Sequence, residues 1–591
     1  MNIQQMKLSA IASGVAISIA AMSSQAAEQP ALAITGANST TTITGGATIN
    51  NGASFLAEVP ASEAADLVAT IRPASADVGQ TGSLIVVADV PGYGFFNLLS
   101  GGIWIPWNGS DPVIPVSTKT LAAEEKISIL EGLVGSDLGL TATSISAYVG
   151  YYTGGEFSNL TYSETPAVLT IAAPVAAGCP INTAATTSST FKDKPVCILS
   201  GRITADTHLT SNNSYLLEGQ VIIGENAVGG EKTRLTIDAG TYVFGQVGLN
   251  FLVIDKNGQL HANGSASKPV IFTYEGDDEA TSLTRGQWGG IVINGSAPIN
   301  EAGGVAEGEG STGMYGGSDS TDNSGSMTYM QVKYAGQNIT ETNELNGIAF
   351  QAVGSGTNVD YVQVHNNSDD GVEFFGGTVN AKHIVLTGNE DDALDWTMGW
   401  NGKVQFVAVR QTSSSEHCIE ADNNADNNDA SPRANPTISN MTCVGDDAAD
   451  GKGLRLRECT SASLSNFVVK TFASYCIDID QTATFTNAGG SIANLNGNLA
   501  MINSRIDTAC PLEDEAGDPF SVTDWFAAQS GSAVGNVDLG GSIGWTNGPM
   551  LNAVSPSIPA GTFFESVDYI GAIKDDTSDW TKGWTFTNFL D

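Results

Sequence analysis

Two adjacent aspartate pairs, Asp369–Asp370 and Asp391–Asp392, stand 22 residues apart, and Glu373 and Asp395 repeat that interval (391 − 369 = 392 − 370 = 395 − 373 = 22). After a slip of three residues, Glu416, His417 and Glu420 fall opposite Asp391, Asp392 and Asp395 at an offset of 25. Arg455, Arg457 and Asp478 follow. Carboxyl groups repeated at a fixed interval, with His and Arg among them, suit two kinds of chemistry. The first is general acid–base cleavage of a glycosidic bond, in which one carboxyl is protonated and another ionised. On that reading Asp370, Asp392, His417 and Arg455 are the catalytic candidates. The second is cation binding, because calcium takes hard oxygen ligands in flexible geometry. Asp369, Glu373, Asp391, Asp395 and Glu420 are then the candidate ligands. The loop EADNNADNND adds Asp422, Asn424 and Asp426 in the alternating order of many calcium loops. It is not a complete EF-hand, since Asn427 stands at the turn glycine and Arg433 at the bidentate glutamate.

Stacked strands lie about 4.8 Å apart. Two ionised carboxylates at that spacing repel by about 0.9 kcal/mol in water and about 3.5 kcal/mol at an effective dielectric near 20. A cation, an interleaved Arg455, a shared proton or side chains splayed into water must offset this. Asp and Asn also cap turns, so such corners occur in solenoids without catalysis.

The interval is one coil of a solenoid. Val372, Leu394, Ile419, Leu454 and Ile477 make an inward column, and Glu373, Asp395, Glu420, Arg455 and Asp478 an outward one. Short β-branched runs separated by Asn, Asp and Gly at this period predict a right-handed parallel β-helix, assigned to 176–510. Alternating runs such as GSLIVVADV, ISAYVGYY and AVLTIAA predict a β-sandwich over 27–175, interrupted by a helix in LAAEEKISILEGL. Trp104, Trp107, Phe95 and Phe96 are expected in its core. The polar stretch 301–326 reads as a projecting loop. Residues 511–591, rich in aromatics, read as a C-terminal cap or assembly segment. The fold class is therefore all-β.

Lys7, the apolar LSAIASGVAISIAAM and Ser24-Gln25-Ala26 make 1–26 a secretory signal peptide, so the mature chain is exported. Against 24 basic residues stand 63 acidic ones, a net charge of −39, which excludes nucleic acid as a partner and favours divalent cations. Seven Cys leave at least one thiol unpaired. Cys179 and Cys197 could close a loop, whereas Cys418 and Cys476 share a column two coils apart and read as small packed residues.

The export signal, the sandwich, the β-helix with WGGIVINGSAP and DDGVEFFGG, and the closing DYIGA…DWTKGWT together resemble the S-layer proteins of marine Gram-negative bacteria. That resemblance implies a two-dimensional lattice of the chain with itself on the outer cell surface, held by an outer-membrane component such as lipopolysaccharide. It also implies a contribution to biofilm matrix, and no enzymatic activity or catalytic motif. Seven Cys depart from the usual Cys-poor pattern. The reading taken from the sequence is a secreted structural protein bridged by structural calcium. A β-helix polysaccharide lyase or glycoside hydrolase is the alternative, followed by a glycan-binding adhesin.

Overall fold

The structure, a computed structural model, describes residues 29–587 apart from 34–37, 50–54, 57, 60–63, 92, 136–139, 141–142, 156, 172–177, 340–343, 447–450 and 542. The signal peptide expected at 1–26 lies outside the described residues. The chain forms two compact units, Met1–Ala176 and Ala177–Asp591.

In the first unit, eleven antiparallel strands make one hydrogen-bonded network rather than two separate sheets. Thr143–Thr153 joins it by pairing with Thr81–Val90, Thr161–Ser163 and Ala167–Ile171. The stretch expected to be helical is the strand Glu125–Val134: Glu125, Ile127 and Ile129 are buried while the alternating Lys126 and Ser128 are exposed. Period-two burial against Ala69 and its neighbours overrides the weak helical preference of the Glu and Lys residues. The expected aromatic core is also corrected. Successive residues of Gly94–Leu99 face opposite ways, so Phe96 is buried while Phe95 is 43 % exposed. Trp104 is half-buried against the main core, and Trp107 packs in a separate cluster with Val113 and Leu160.

The second unit is a parallel β-helix whose sheet contains 25 strands. Short strands, Ile348–Gln351, Val372–Phe375, Leu394–Thr397, His417–Ala421, Lys452–Leu456 and Tyr475–Ile479, pair each with the next coil. Longer strands such as Asn358–His365, Asn380–Thr387 and Lys403–Arg410 do the same. The observed register places Val362 on Ile384, Val372 on Leu394 and Leu394 on Ile419, as the repeat predicts. Each long strand bends at one residue of left-handed φ: Tyr361 (55°), His383 (48°), Phe406 (64°), Asn440 (58°) and Asn466 (60°). Such φ values are costly for non-glycine residues. Here they recur at the same place in every coil, and the rings stack, Tyr361 on His383 at 4.2 Å and His383 on Phe406 at 4.9 Å. The interior column Leu394, Ile419, Leu454, Ile477 is almost wholly buried.

Three disulfides tie the solenoid: Cys179–Cys197, Cys418–Cys443 and Cys476–Cys510. Cys418 and Cys476 are thus bridged, each to a separate partner, and not merely small packed residues. Among the described residues Cys459 is the free thiol, and it is buried.

The 301–326 insertion does not project. Tyr315 is buried, with its ring 6.1 Å from that of Phe375, and the carbonyl of Thr312 accepts from Asn294 Nδ2 at 2.8 Å. Beyond Cys510 the strand Ala533–Gly535 still stacks on Arg505–Asp507, so the coil rhythm continues past the expected boundary. Helix Val522–Ala528 buries Val522, Trp525 and Phe526 against the solenoid core. Residues 555–586 instead lie along the outside, fastened by a column of amides. Gln363 exchanges hydrogen bonds with the backbone of Phe586, Gln405 with that of Glu565, and Asn440 donates to the carbonyls of Tyr569 and Gly571.

Candidate active site

The short strands put their odd-facing side chains on one outer surface. There Glu373, Asp395, Glu420, Arg455 and Asp478 stand in register, one per coil, and His417, Lys452 and Tyr475 form a second column. A local device builds that second column. The Oδ1 of Asp370 accepts the backbone N–H of Asp392 at 3.0 Å, and the Oδ1 of Asp392 accepts the backbone N–H of His417 at 2.8 Å. Asp370 and Asp392, at the starts of Val372–Phe375 and Leu394–Thr397, thereby each cap the next coil.

His417 is bound at both ring nitrogens. Nδ1 lies 2.8 Å from Asp392 Oδ1 and Nε2 lies 2.9 Å from the Tyr475 hydroxyl. With Nδ1–H donating to the carboxylate, Nε2 is free to accept from Tyr475. Burial holds the imidazole neutral, down to about 4.

Four sets of groups each bring their ligand atoms within 4.8 Å of one another: Asp392, His417 and Glu420; Glu344, Asp369 and Asp391; Asp370, Glu373 and Asp395; and Asp370, Asp391 and Asp392. Burial, followed by neighbouring negative charge, pushes Asp369 and Asp391 up to about 8. Burial also raises Asp392 and Glu420 to about 7. Asp370, Glu373 and Asp395 are driven well above the usual carboxylate range for the same reason. Glu344, Asp391, Asp395 and Glu420 are partly exposed, whereas Asp369, Asp370, Glu373, Asp392 and His417 are buried.

The positive groups are all engaged. Arg455 reaches Asp480 at 2.8 Å, Arg457 holds Asp422 at 2.8 Å together with Glu420, and Lys452 holds Glu416 at 2.5 Å. Among the buried polar atoms without a hydrogen-bond partner are the Oδ1 of Asn346, whose Nδ2 donates to Glu373 at 2.6 Å, the Oδ1 of Asp395 and the Nε of Arg455.

Of the residues singled out in the sequence, Asp369, Asp370, Glu373, Asp391, Asp392, Asp395, His417 and Glu420 come together on this surface, with Arg455 at its edge. The expected calcium loop is not part of any such set. Asp422 is occupied by Arg457, Asn424 Oδ1 caps the N–H groups of Asp426 and Asn427, and Asp426 is exposed. Asn424 there caps the turn of the chain. Residues that the repeat did not indicate are Glu309, Glu344, Asn346 and Tyr475. Glu309 comes from the insertion, and its carboxyl, raised to about 8 by burial and then by Asp369 and Glu344, adds to the same cluster. Only Tyr475 had a signal, its place in the run YCIDID one coil beyond Lys452.

Among known proteins, residues 201–549 match the family model described as a pectate-lyase-like β-helix domain, a span that holds this whole surface and more than half of the chain. Among solved structures, the catalytic unit of a thermostable GH87 α-1,3-glucanase from Streptomyces thermodiastaticus strain HF3-3 is 12 % identical, with 75 % of this chain and 97 % of that one covered and a TM-score of 0.19. The catalytic domain of a GH87 α-1,3-glucanase in complex with tetrasaccharides is 10 % identical, with 78 % and 97 % covered and a TM-score of 0.19. No curated protein matches the chain. The chain belongs to the pectate-lyase-like β-helix domain family.

Proposed function

We propose that the protein hydrolyses glycosidic bonds of an extracellular polysaccharide on the carboxyl surface of its β-helix. The observation that carries this is the pairing of Asp391 with Asp392. Asp391 is partly exposed and its carboxyl is pushed up to about 8, while Asp392 beside it, raised by burial to about 7, is drawn back toward its ionised form by the two N–H groups of His417 that it accepts. Asp391 gives its proton to the glycosidic oxygen as the bond to the anomeric carbon breaks. Asp392, whose oxygen lies within 4.8 Å of that of Asp391 and leaves no room for a water between them, attacks that carbon, and water activated by the deprotonated Asp391 then hydrolyses the glycosyl ester and returns the proton to Asp391. His417 orients Asp392, and Asp370 braces the coil on which both stand. Hydrolysis is favoured over β-elimination because a lyase needs a cationic group to hold a uronate carboxylate, and Arg455, Arg457 and Lys452 are already paired. Membership of the family and three disulfides, which form in oxidising compartments, support action outside the cell. Among the described residues no helix is long and apolar enough to cross a membrane.

The test is to incubate the purified chain with a polysaccharide panel and follow two products. Hydrolysis releases reducing ends without an unsaturated sugar, whereas a rise in ultraviolet absorbance from an unsaturated product would replace hydrolysis by elimination.

Calcium enters as a structural ion. Asp370, Glu373 and Asp395 offer only hard oxygens, and the unpartnered Oδ1 atoms of Asn346 and Asp395 are the acceptors such an ion would engage. Assembly with copies of itself into a calcium-bridged lattice on the outer surface is a separate proposal, supported by the net charge of −39. Negative-stain microscopy with calcium and then a chelator tests it, and sheets that ignore the chelator would remove calcium from it.

A further inference from the structure

One column of outward-facing residues runs along the solenoid, and its chemistry changes where its cover stops. Ile222, Val253, Val292 and Ala349 stand in register, one per coil, and lead to Glu373. Val253, Val292 and Ala349 point away from the solenoid core and are nonetheless at most 2 % exposed. The insertion covers them: Tyr315 packs into the same apolar cluster, with Ala306 against it. Leaving those outward side chains in water would be costly, so the cover is part of the fold. From Asp395 onward the column opens. Asp395, Glu420 and Arg455 are partly exposed, whereas Asp478, one coil further, is buried again. The open strip thus spans three coils, about 14 Å at about 4.8 Å per coil.

The insertion ends at the first open coil. The Tyr315 ring lies 6.1 Å from that of Phe375, and its hydroxyl donates to Met398 Sδ at 3.0 Å, just past the strand Leu394–Thr397. Asp391 and Asp392 lead into that same strand. They therefore stand at the foot of a wall. A polymer laid along the solenoid axis is stopped within about one coil of them, a length of one or two sugar rings. The packed side chains under the insertion leave no path for a chain to continue past it. We infer that the insertion makes the protein exo-acting: only the end of a polysaccharide reaches Asp391 and Asp392, and each turnover releases a mono- or disaccharide. This rests on the hydrolase reading above and adds its mode of attack. An internal segment of a polymer would have to extend to both sides of the reacting pair, and one side is filled by protein.

The experiment takes each polymer of the panel that the full chain cleaves and follows viscosity, reducing ends and product length together. The expected result is a mono- or disaccharide as the main product from the earliest time points, with viscosity falling little while reducing ends accumulate. A ladder of long oligosaccharides with early collapse of viscosity overturns the inference and leaves the hydrolase reading standing. Absence of cleavage across the panel overturns the two together. Tyr315→Ala removes both the ring against Phe375 and the donor to Met398, and so tests the insertion as the wall. Its products should shift toward oligosaccharides longer than a disaccharide, with a steeper fall of viscosity per reducing end, in a chain still folded by its melting curve. Unchanged product length in the folded variant overturns the insertion as the wall. Where Tyr315→Ala does not fold, the products of the native chain decide the inference alone.

Discussion

Tyr475 lies one step behind the reacting groups, and its hydroxyl decides which nitrogen of His417 faces Asp392. Tyr475→Phe removes the donor to Nε2 while keeping the ring. The imidazole is then free to rock, and kcat should fall roughly tenfold with KM little changed, the split expected when a transition-state contact is loosened without loss of ground-state binding. A change in KM alone would remove Tyr475 from the chain of contacts. The aspartates of this site were legible from their spacing because each is the same residue of successive coils. Glu309 and Asn346 were not, because the insertion and the strand-leading turn that carry them break the repeat.

At the scale of the strands, the inward and outward columns carry different loads. Ile419 is fully buried between Leu394 and Leu454, so Ile419→Ala should cost about 2–5 kcal/mol in a denaturant titration. Glu420→Gln, one residue on and facing outward, should cost far less. The amide column on the outer face is a second case. Gln405→Ala strands both the N–H and the C=O of Glu565, and a loss of about 1–3 kcal/mol is expected. An unchanged unfolding midpoint would show that the tail is held elsewhere. Inward and outward columns could be read from the sequence, since period and alternation are local. The tail's docking could not, because Gln363 and Phe586 stand 223 residues apart and share no motif. The strand Glu125–Val134 was misread as a helix because Glu and Lys favour helices locally, whereas its burial alternates only against a sheet partner.

Across the whole molecule the buried carboxyls tie stability to pH. Asp369, Asp391 and Glu309 titrate near 8 in the folded chain, and Asp392, Glu420 and Asp478 near 7, burial being the chief cause in each. Unfolded, they release their protons in the ordinary carboxylate range. Between that range and about 8 the folded state binds more protons, so its stability is greatest at acid pH and is lost as pH rises through the folded values. His417 and His365, held to about 4 and about 3 by burial, act the other way below the ordinary imidazole value. The carboxyl effect is therefore cleanest above neutrality: Tm should fall between about pH 6.5 and about pH 8.5, and Asp369→Asn should flatten that fall. Calcium, by replacing the missing protons, should restore Tm at the upper pH and not at the lower.

The most direct test of the account sets the native chain beside Asp392→Asn on the polysaccharide panel at the same pH and reads reducing ends. Loss of about 10²–10⁴ in rate, with the variant still folded by its melting curve, is the predicted result. Equal release by the two chains, or release by neither, would contradict a hydrolytic role for this surface.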